Sequence, residues 1–318
     1  MTTDVSPRSG DAPRVGPVHA DGRYERRGGA FGVARRYLQV TKPRIIELLL
    51  VTTVPAMVIA AGGWPGTWLV VATVLGGAMS AGSANALNNH LDRDVDRVMA
   101  RTAMRPTARD EISGRGAVLL GLGLGAAGFA WLAAFANLLA AALATSAIVF
   151  YVVVYTLGLK RRTSQAVVIG GAAGCVPVLT GWAAVTGDLV DLRPWLLFAV
   201  VFWWTPPHFW ALAMRYREDY GRAGLPMLPV TYGNDEATRH VLYYSYLLLS
   251  IVLLYISAGG AGWLFTGVGL GLTGVWLVLA HRLRRSRSVV DAMLLFRYST
   301  VYLATVFVAA AVDAVLVA

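Results

Sequence analysis

The sequence predicts an all-α, polytopic integral membrane protein of about nine transmembrane helices surrounding a central cavity. Three observations predict it. Only 14% of the 318 residues are charged and 56% are hydrophobic, whereas a water-soluble domain carries roughly a quarter charged residues. Uncharged stretches of about 20 residues recur along the chain, the length that spans about 30 Å of hydrocarbon. The basic residues gather between alternate pairs of these stretches.

In order, the spans fall at 45–63, 67–88, 117–136, 138–158, 166–186, 194–213, 241–258, 262–280 and 298–317. The third and fifth are rich in small residues (Gly121, Gly123, Gly125, Gly128; Gly170, Gly171, Gly174), which let helices approach closely in lipid. Pro177 should kink the fifth, and the Pro206–Pro207 pair the sixth. Backbone groups freed at a kink are tolerated where they line a cavity. The seventh and eighth form one uncharged run from Val241 to Ala280, divided at Gly259–Gly262 because its length is about twice what a bilayer needs.

Of the 28 basic residues, 27 lie on one side of this arrangement and only Arg193 on the other. That side is cytoplasmic by the positive-inside rule, with the N-terminus inside and the C-terminus outside. The same distribution explains the net charge of +10 without nucleic acid, since no basic groove tracks a phosphate backbone. Only two of the basic residues are lysine, Lys42 and Lys160, a bias typical of GC-rich genomes that favours a bacterial plasma membrane. The single cysteine, Cys175, excludes an internal disulfide and any multi-cysteine metal site. Residues 1–36 are polar and rich in Gly, Pro and Arg, and are expected to form a disordered cytoplasmic tail without a signal-peptide core. Residues 37–318 make one intramembrane domain.

The long connections follow the second and sixth spans, on the cytoplasmic side, so chemistry is expected to face the cytoplasm. The second span runs into NALNNHLDRDVDRVMARTAMRP from Asn85. Asn88, Asp92 and Asp96 are four residues apart and share one helical face with Asn85, while Asp94 points away. Hard oxygen ligands of this kind suit Mg2+, which takes one or two carboxylates together with substrate phosphates. Arg101 and Arg105 follow and can clamp phosphate oxygens. A solvated helix end with i,i+4 Asp–Arg pairs is the competing reading of the spacing alone. A second cluster, RYREDYGRAGLPMLPV, follows the sixth span on the same side and carries Glu218 and Asp219. Two acidic clusters four helices apart suggest a distant duplication with room for a Mg2+–diphosphate between its halves; taken alone, the second loop reads equally as a solvated charged connector.

These residues resemble a known family. Asn88-x3-Asp92-x3-Asp96 is similar to the first aspartate motif of the UbiA prenyltransferase superfamily. Several longer segments resemble its heme O synthase branch: TKPRIIEL at 41–48, DVDRVMARTAMRP at 94–106, YTLGLKRRT at 155–163, FWWTPPHFWALA at 202–213 and DYGRAGLPMLPV at 219–230. The resemblance covers residues 38 to 235, with Ala166 and Val178 as departures on the fifth span. It implies transfer of a farnesyl group from farnesyl diphosphate to a vinyl group of protoheme IX (heme B), giving heme O. It further implies that Asn88, Asp92, Asp96 and Asp219 are catalytic, with the three aspartates on Mg2+. Lys42, Arg44, Arg101, Arg105 and Lys160 become candidates for phosphate contact. His208 is the candidate heme contact, with His90 behind it. Tyr155, Trp203, Trp204, Phe209 and Trp210 are candidates to face an allylic cation. Glu47 belongs to a matching segment and is a candidate site residue, whereas Asp313 is expected to reach water at the outer interface. His240 and His281 are expected to be solvated near the cytoplasmic boundary. A heme A synthase is the candidate protein partner, beside the lipid bilayer. A quinone-type prenyltransferase, a transporter and a non-catalytic heme carrier are the rival readings. The long branch-like segments disfavour the first, the boundary position of the acids the second, and the aspartate spacing the third.

Overall fold

The computed structural model of the protein describes residues 30–43 and 45–317. Arg44 and most of the expected tail lie outside the described residues, as do the side chains of residues 45–50, Glu47 among them. All regular elements among the described residues are helical. The first, α1, spans Ala30–Val40 and overlaps the segment 1–36 expected to be tail. The reason is amphipathic: Val40 is fully buried, and Tyr37 packs with it against Ala86, Ile112 and Ala117.

The spans follow as α2 (Ile45–Ala61), α3 (Thr67–Leu91), α5 (Gly114–Phe135), α6 (Leu138–Val149, continuing as a π-helix over Phe150–Leu159), α7 (Ala166–Thr186), α8 (Arg193–Arg215), α11 (Gly233–Ala258), α12 (Trp263–Ser286) and α13 (Val289–Val317). Short helices α4 (Arg93–Val98), α9 (Arg217–Arg222) and α10 (Leu228–Thr231) lie in the two long connections. Among the described residues, 8 helices are long and apolar enough to cross a membrane, and α2 adds the shorter apolar stretch Val51–Ala61. The last three helices run past their expected ends on the basic side. There Arg284 and Arg287 pair with Asp235 at 2.6 and 2.9 Å, and Arg282 pairs with Asp291 at 2.8 Å. Paired charges let the helices extend beyond the hydrocarbon.

The spans pack in sequence order into a closed ring, with α13 returning to α2. Contacts of α2 with α7 and of α8 with α13 divide the ring into two lobes. The lobe of α8, α11, α12 and α13 is filled by large side chains such as Trp276, Phe265, Tyr302 and Phe307, all fully buried. The other lobe encloses a cavity of about 370 Å³ bounded by α2, α3, α6 with its π-helix, α7 and α8. Close approach of α5 to α3 depends on small residues. A Cβ on Gly121 would stand 2.7 Å from Leu87, and one on Gly125 would stand 2.9 Å from Ser83.

Asp313 departs from expectation. It is buried, and its oxygens accept N–H donors from Gly262, Leu264 and Phe265, the last two at 3.1 Å. The carboxylate therefore caps the N-terminus of α12 from the neighbouring helix, where the helix dipole favours negative charge.

Candidate active site

The polar end of α3 sets the site. The backbone N–H of Asp92 still reaches the Asn88 carbonyl at 2.9 Å, and that of Asp96 reaches Asp92 at 2.8 Å. Helical spacing thus survives the junction with α4, and the expected face forms. Asn88, Asp92 and Asp96 are 2%, 0% and 2% exposed, whereas the Asp94 side chain is 66% exposed and pairs with Arg161.

Each buried acid has a partner from a different part of the chain. Asp92 pairs with Lys160 and accepts from the Asn88 amide at 2.6 Å. The same amide donates to Thr156 at 3.1 Å, and the Asn88 oxygen accepts from Lys42 at 3.4 Å. Arg105 donates to both oxygens of Asp96 at 2.8 Å. Asp219, from α9, accepts the backbone N–H groups of Ala100 and Arg101 at 3.0 and 3.4 Å and the Arg222 guanidinium at 2.8 Å. The second acidic segment is therefore tied directly to the loop that follows the first. Arg101 adds a bond to the Tyr220 hydroxyl at 3.3 Å and lies over the Tyr216 ring.

Burial pushes the Asp219 carboxyl up, but the N–H of Ala100, the Arg222 hydrogen bond, the N–H of Arg101 and the Arg222 charge outweigh it and hold the group below its ordinary range. Lys42 is shifted the other way for a cation. Burial, helped by the positive charge of Arg105, lowers it to about 7. Lys42 also occupies the left-handed backbone region, φ 53°, just past the end of α1. Glycine is the usual residue there.

The π-helix brings the fourth span's residues into the site. Its five-residue repeat places Tyr151 above Thr156 and Tyr155 near Lys160. An ordinary α-helix, which the sequence predicts, would turn these pairs off a common line. Beneath the polar layer, the cavity wall includes Asn85, Tyr151, Tyr155, Trp204, Thr205 and Phe209. Gly170 makes room for Tyr155, whose ring would meet a Cβ there, while Gly174 opens onto the cavity. Ala166 and Val178 are buried away from that wall, so the two departures affect packing only.

A sequence profile of the UbiA prenyltransferase family matches residues 49–310. The chain belongs to the UbiA prenyltransferase family. It is 53% identical over 285 residues to protoheme IX farnesyltransferase 1 of Saccharopolyspora erythraea, covering 89% of this chain and 90% of the relative. It is 50% identical over 293 residues to the protoheme IX farnesyltransferase of Rhodococcus jostii, covering 91% and 96%. In fold it is similar to a digeranylgeranylglyceryl phosphate synthase (TM-score 0.75, 16% identity, 90% of this chain and 99% of that one). It is also similar to a UbiA homolog from Archaeoglobus fulgidus bound to DMAPP and Mg2+ (TM-score 0.66, 20% identity, 89% and 100%).

Within this UbiA fold the expected site residues separate into two groups. Asn88, Asp92, Asp96, Lys42, Arg105 and Lys160 form one polar network, and Asp219 and Arg101 join it through the loop. Tyr155, Trp204 and Phe209 reach the cavity wall. Trp203 and Trp210 do not; both pack on Tyr244. His208 lies behind Trp204, between that ring at 4.3 Å and Phe296 at 4.5 Å, and its Nδ1 bonds Ser299 of α13. His90 faces Gly114 at the start of α5. His240 bonds Glu236 within α11, and His281 bonds the Tyr246 hydroxyl at 2.8 Å. The sequence marks Arg222 only as a neighbour of Glu218 and Asp219, and gives no signal for Thr156 or Tyr220 as site residues. Nothing short of the π-register marks Thr156.

The residues fit a hard divalent cation. One oxygen of Asp92 is buried without a hydrogen bond, with only Arg161 at 3.8 Å. Asn88 and Asp96 supply further oxygens beside it. Among the described residues no three carboxylate, histidine or cysteine groups gather closely enough to hold a metal alone. A donor set of this size suits Mg2+, which completes its shell with water and phosphate.

Proposed function

We propose that this chain transfers the farnesyl group of farnesyl diphosphate to a vinyl group of protoheme IX, with water supplying the new hydroxyl, to give heme O and diphosphate. The observation that carries the reading is the buried layer of paired acids and cations lying directly over an apolar cavity. The relatives named protoheme IX farnesyltransferase, at about half identity over most of both chains, support this acceptor and this donor.

Each residue has work to do in that reaction. Mg2+, held by Asp92 and Asp96 with Asn88, would neutralise the diphosphate as its bond to carbon breaks. Arg105, Lys160, Lys42 and Arg101 present positive charge on the same layer and bind the phosphate oxygens. Arg105 and Lys160 are now engaged with Asp96 and Asp92, so an incoming diphosphate exchanges these carboxylate partners for phosphate. Asp219 holds the loop bearing Arg101 in place and is available to the metal site from the other half. The prenyl chain occupies the cavity below. Loss of diphosphate leaves an allylic cation, which needs a site shielded from bulk water. The faces of Tyr155, Trp204 and Phe209 stabilise it there. His208, stacked behind Trp204, orients that wall for the heme.

The basic side is assigned to the cytoplasm of a bacterial plasma membrane, with the N-terminus inside and the C-terminus outside. A heme A synthase, as the enzyme consuming the product, is the proposed partner, and co-purification from native membranes tests it.

The deciding experiment supplies heme B, farnesyl diphosphate and Mg2+ to membranes containing the protein. A Mg2+-dependent product at the mass of heme plus farnesyl plus water is expected. No product, with binding of both substrates verified, moves the acceptor to a quinone-type precursor.

A further inference from the structure

We propose that α1 is a membrane-surface anchor on the basic side, which holds Lys42 at the mouth of the cavity. The helix divides into three stripes. Tyr37 and Val40, at i,i+3, face the protein. Phe31, Ala34 and Leu38, at i,i+3,i+7, face outward, with Phe31 86% and Leu38 59% exposed. Arg35 and Gln39, at i,i+4, form an exposed polar stripe beside them. Protein, apolar and polar surfaces thus follow each other around one helix. That is the pattern of a helix lying in a bilayer interface.

Position says what covers the apolar stripe. The membrane helix α2 begins at Ile45, five residues after Val40, and five extended residues reach at most about 17 Å. The C-terminal end of α1 therefore lies near the membrane boundary, and Tyr37, packed at Gly116 and Ala117 one turn into α5, keeps the helix beside that boundary. Arg35 suits the anionic surface expected there. Scattered apolar residues on a surface need no explanation, but a continuous stripe at the edge of the hydrocarbon does.

The end of α1 is fastened to the site. The Asn89 amide donates to the Val40 carbonyl at 2.8 Å, and the Asn85 amide to the Thr41 carbonyl at 3.3 Å. Two residues past the helix, Lys42 takes its left-handed conformation and turns toward Asn88. The seating of α1 in the lipid surface therefore sets the direction of Lys42. This last step rests on the diphosphate-binding role proposed above; the anchoring does not.

Nitroxide labels at Phe31→Cys, Leu38→Cys and Gln39→Cys test the anchor, each in the full chain with Cys175→Ala. The chain is reconstituted in vesicles of phosphatidylcholine and phosphatidylglycerol. Labels at 31 and 38 should collide with oxygen more than with a water-soluble nickel chelate, and the label at 39 the reverse. Nickel dominance at 31 and 38 would overturn the proposal, as would low access to both reagents, which means that protein covers the stripe. For the second step, Leu38→Glu should raise the KM for farnesyl diphosphate several-fold with a smaller change in kcat, as Lys42→Ala does, while Gln39→Glu changes neither. An unchanged KM in Leu38→Glu removes the link to Lys42. If wild-type protein makes no heme O, the label measurements still decide the anchor.

Discussion

Asp92, Asp94 and Asp96 show how one residue position differs from the next. Two of these acids are buried with cation partners, and the one between them is exposed. Truncating a partner of a buried, hydrogen-bonded ion pair costs about 3–5 kcal/mol because the other charge is stranded; an exposed pair contributes under about 1 kcal/mol. Asp92→Ala and Asp96→Ala are each expected to abolish turnover, and Asp94→Ala to retain most of it, in the heme O assay. Equal loss in all three would sink the one-face arrangement. Lys42 adds a pH dependence. Its pKa is lowered to about 7, first by burial and then by Arg105. Between that value and its unfolded value near 10.4, the folded protein binds fewer protons than the unfolded chain, so this residue's contribution to stability rises with pH across that window. Its charge behaves oppositely for ligand binding. As pH rises through 7 the ammonium is lost, and the KM for farnesyl diphosphate should rise. Lys42→Arg, which stays protonated, should flatten that limb; a wild-type KM indifferent to pH would show that Lys42 does not bind phosphate.

At the scale of elements, the π-helix decides more than any single side chain. Deleting Val153 should return Phe150–Leu159 toward α-helical register and swing Tyr155, Thr156 and Lys160 away from their partners. Loss of activity by at least tenfold, with unchanged helix content by circular dichroism, is expected. The start of α12 depends on a different device. Asp313 supplies the acceptor that its first backbone N–H groups lack. Asp313→Ala should lower stability by about 1–2 kcal/mol, the worth of a helix cap, seen as a lower Tm in detergent with the KM unchanged. A drop in activity without a drop in Tm would instead make Asp313 part of the reaction.

Over the whole molecule, the ring closes so that all of the long connections sit at one end, and Asp219 bridges the two that carry acids. The bond runs to backbone N–H groups, so Asp219→Asn keeps acceptor geometry on one oxygen but loses the charge that strengthens it. A raised KM for farnesyl diphosphate is expected, with Arg101→Ala giving a similar change. Because Asp219 acts by positioning the loop that carries the Arg101 side chain, the double variant should be little worse than either alone. Additive losses in that double-mutant cycle would place Asp219 and Arg101 in separate roles.

Span number, the basic side, the shared face of Asn88, Asp92 and Asp96 and the outward Asp94 were legible in the chain, because each follows from a local rule of hydropathy or helical period. The family was legible because five segments of side chains match it in order. Local rules could not show which aromatic residues reach the cavity. Trp204 and Trp210 are equally apolar in sequence, and only the packing of α8 between α7, α11 and α13 turns one toward the cavity and the other toward Tyr244. Nor could they show that Asp313 is buried as a cap, that His208 is fastened to Ser299, or that the fourth span changes its register at Phe150. Those outcomes depend on partners at least 48 residues away in the first two cases, Gly262, Leu264 and Phe265 for Asp313 and Ser299 for His208. A side chain's neighbours across a bundle are set by how helices pack, and helical period alone carries no record of that.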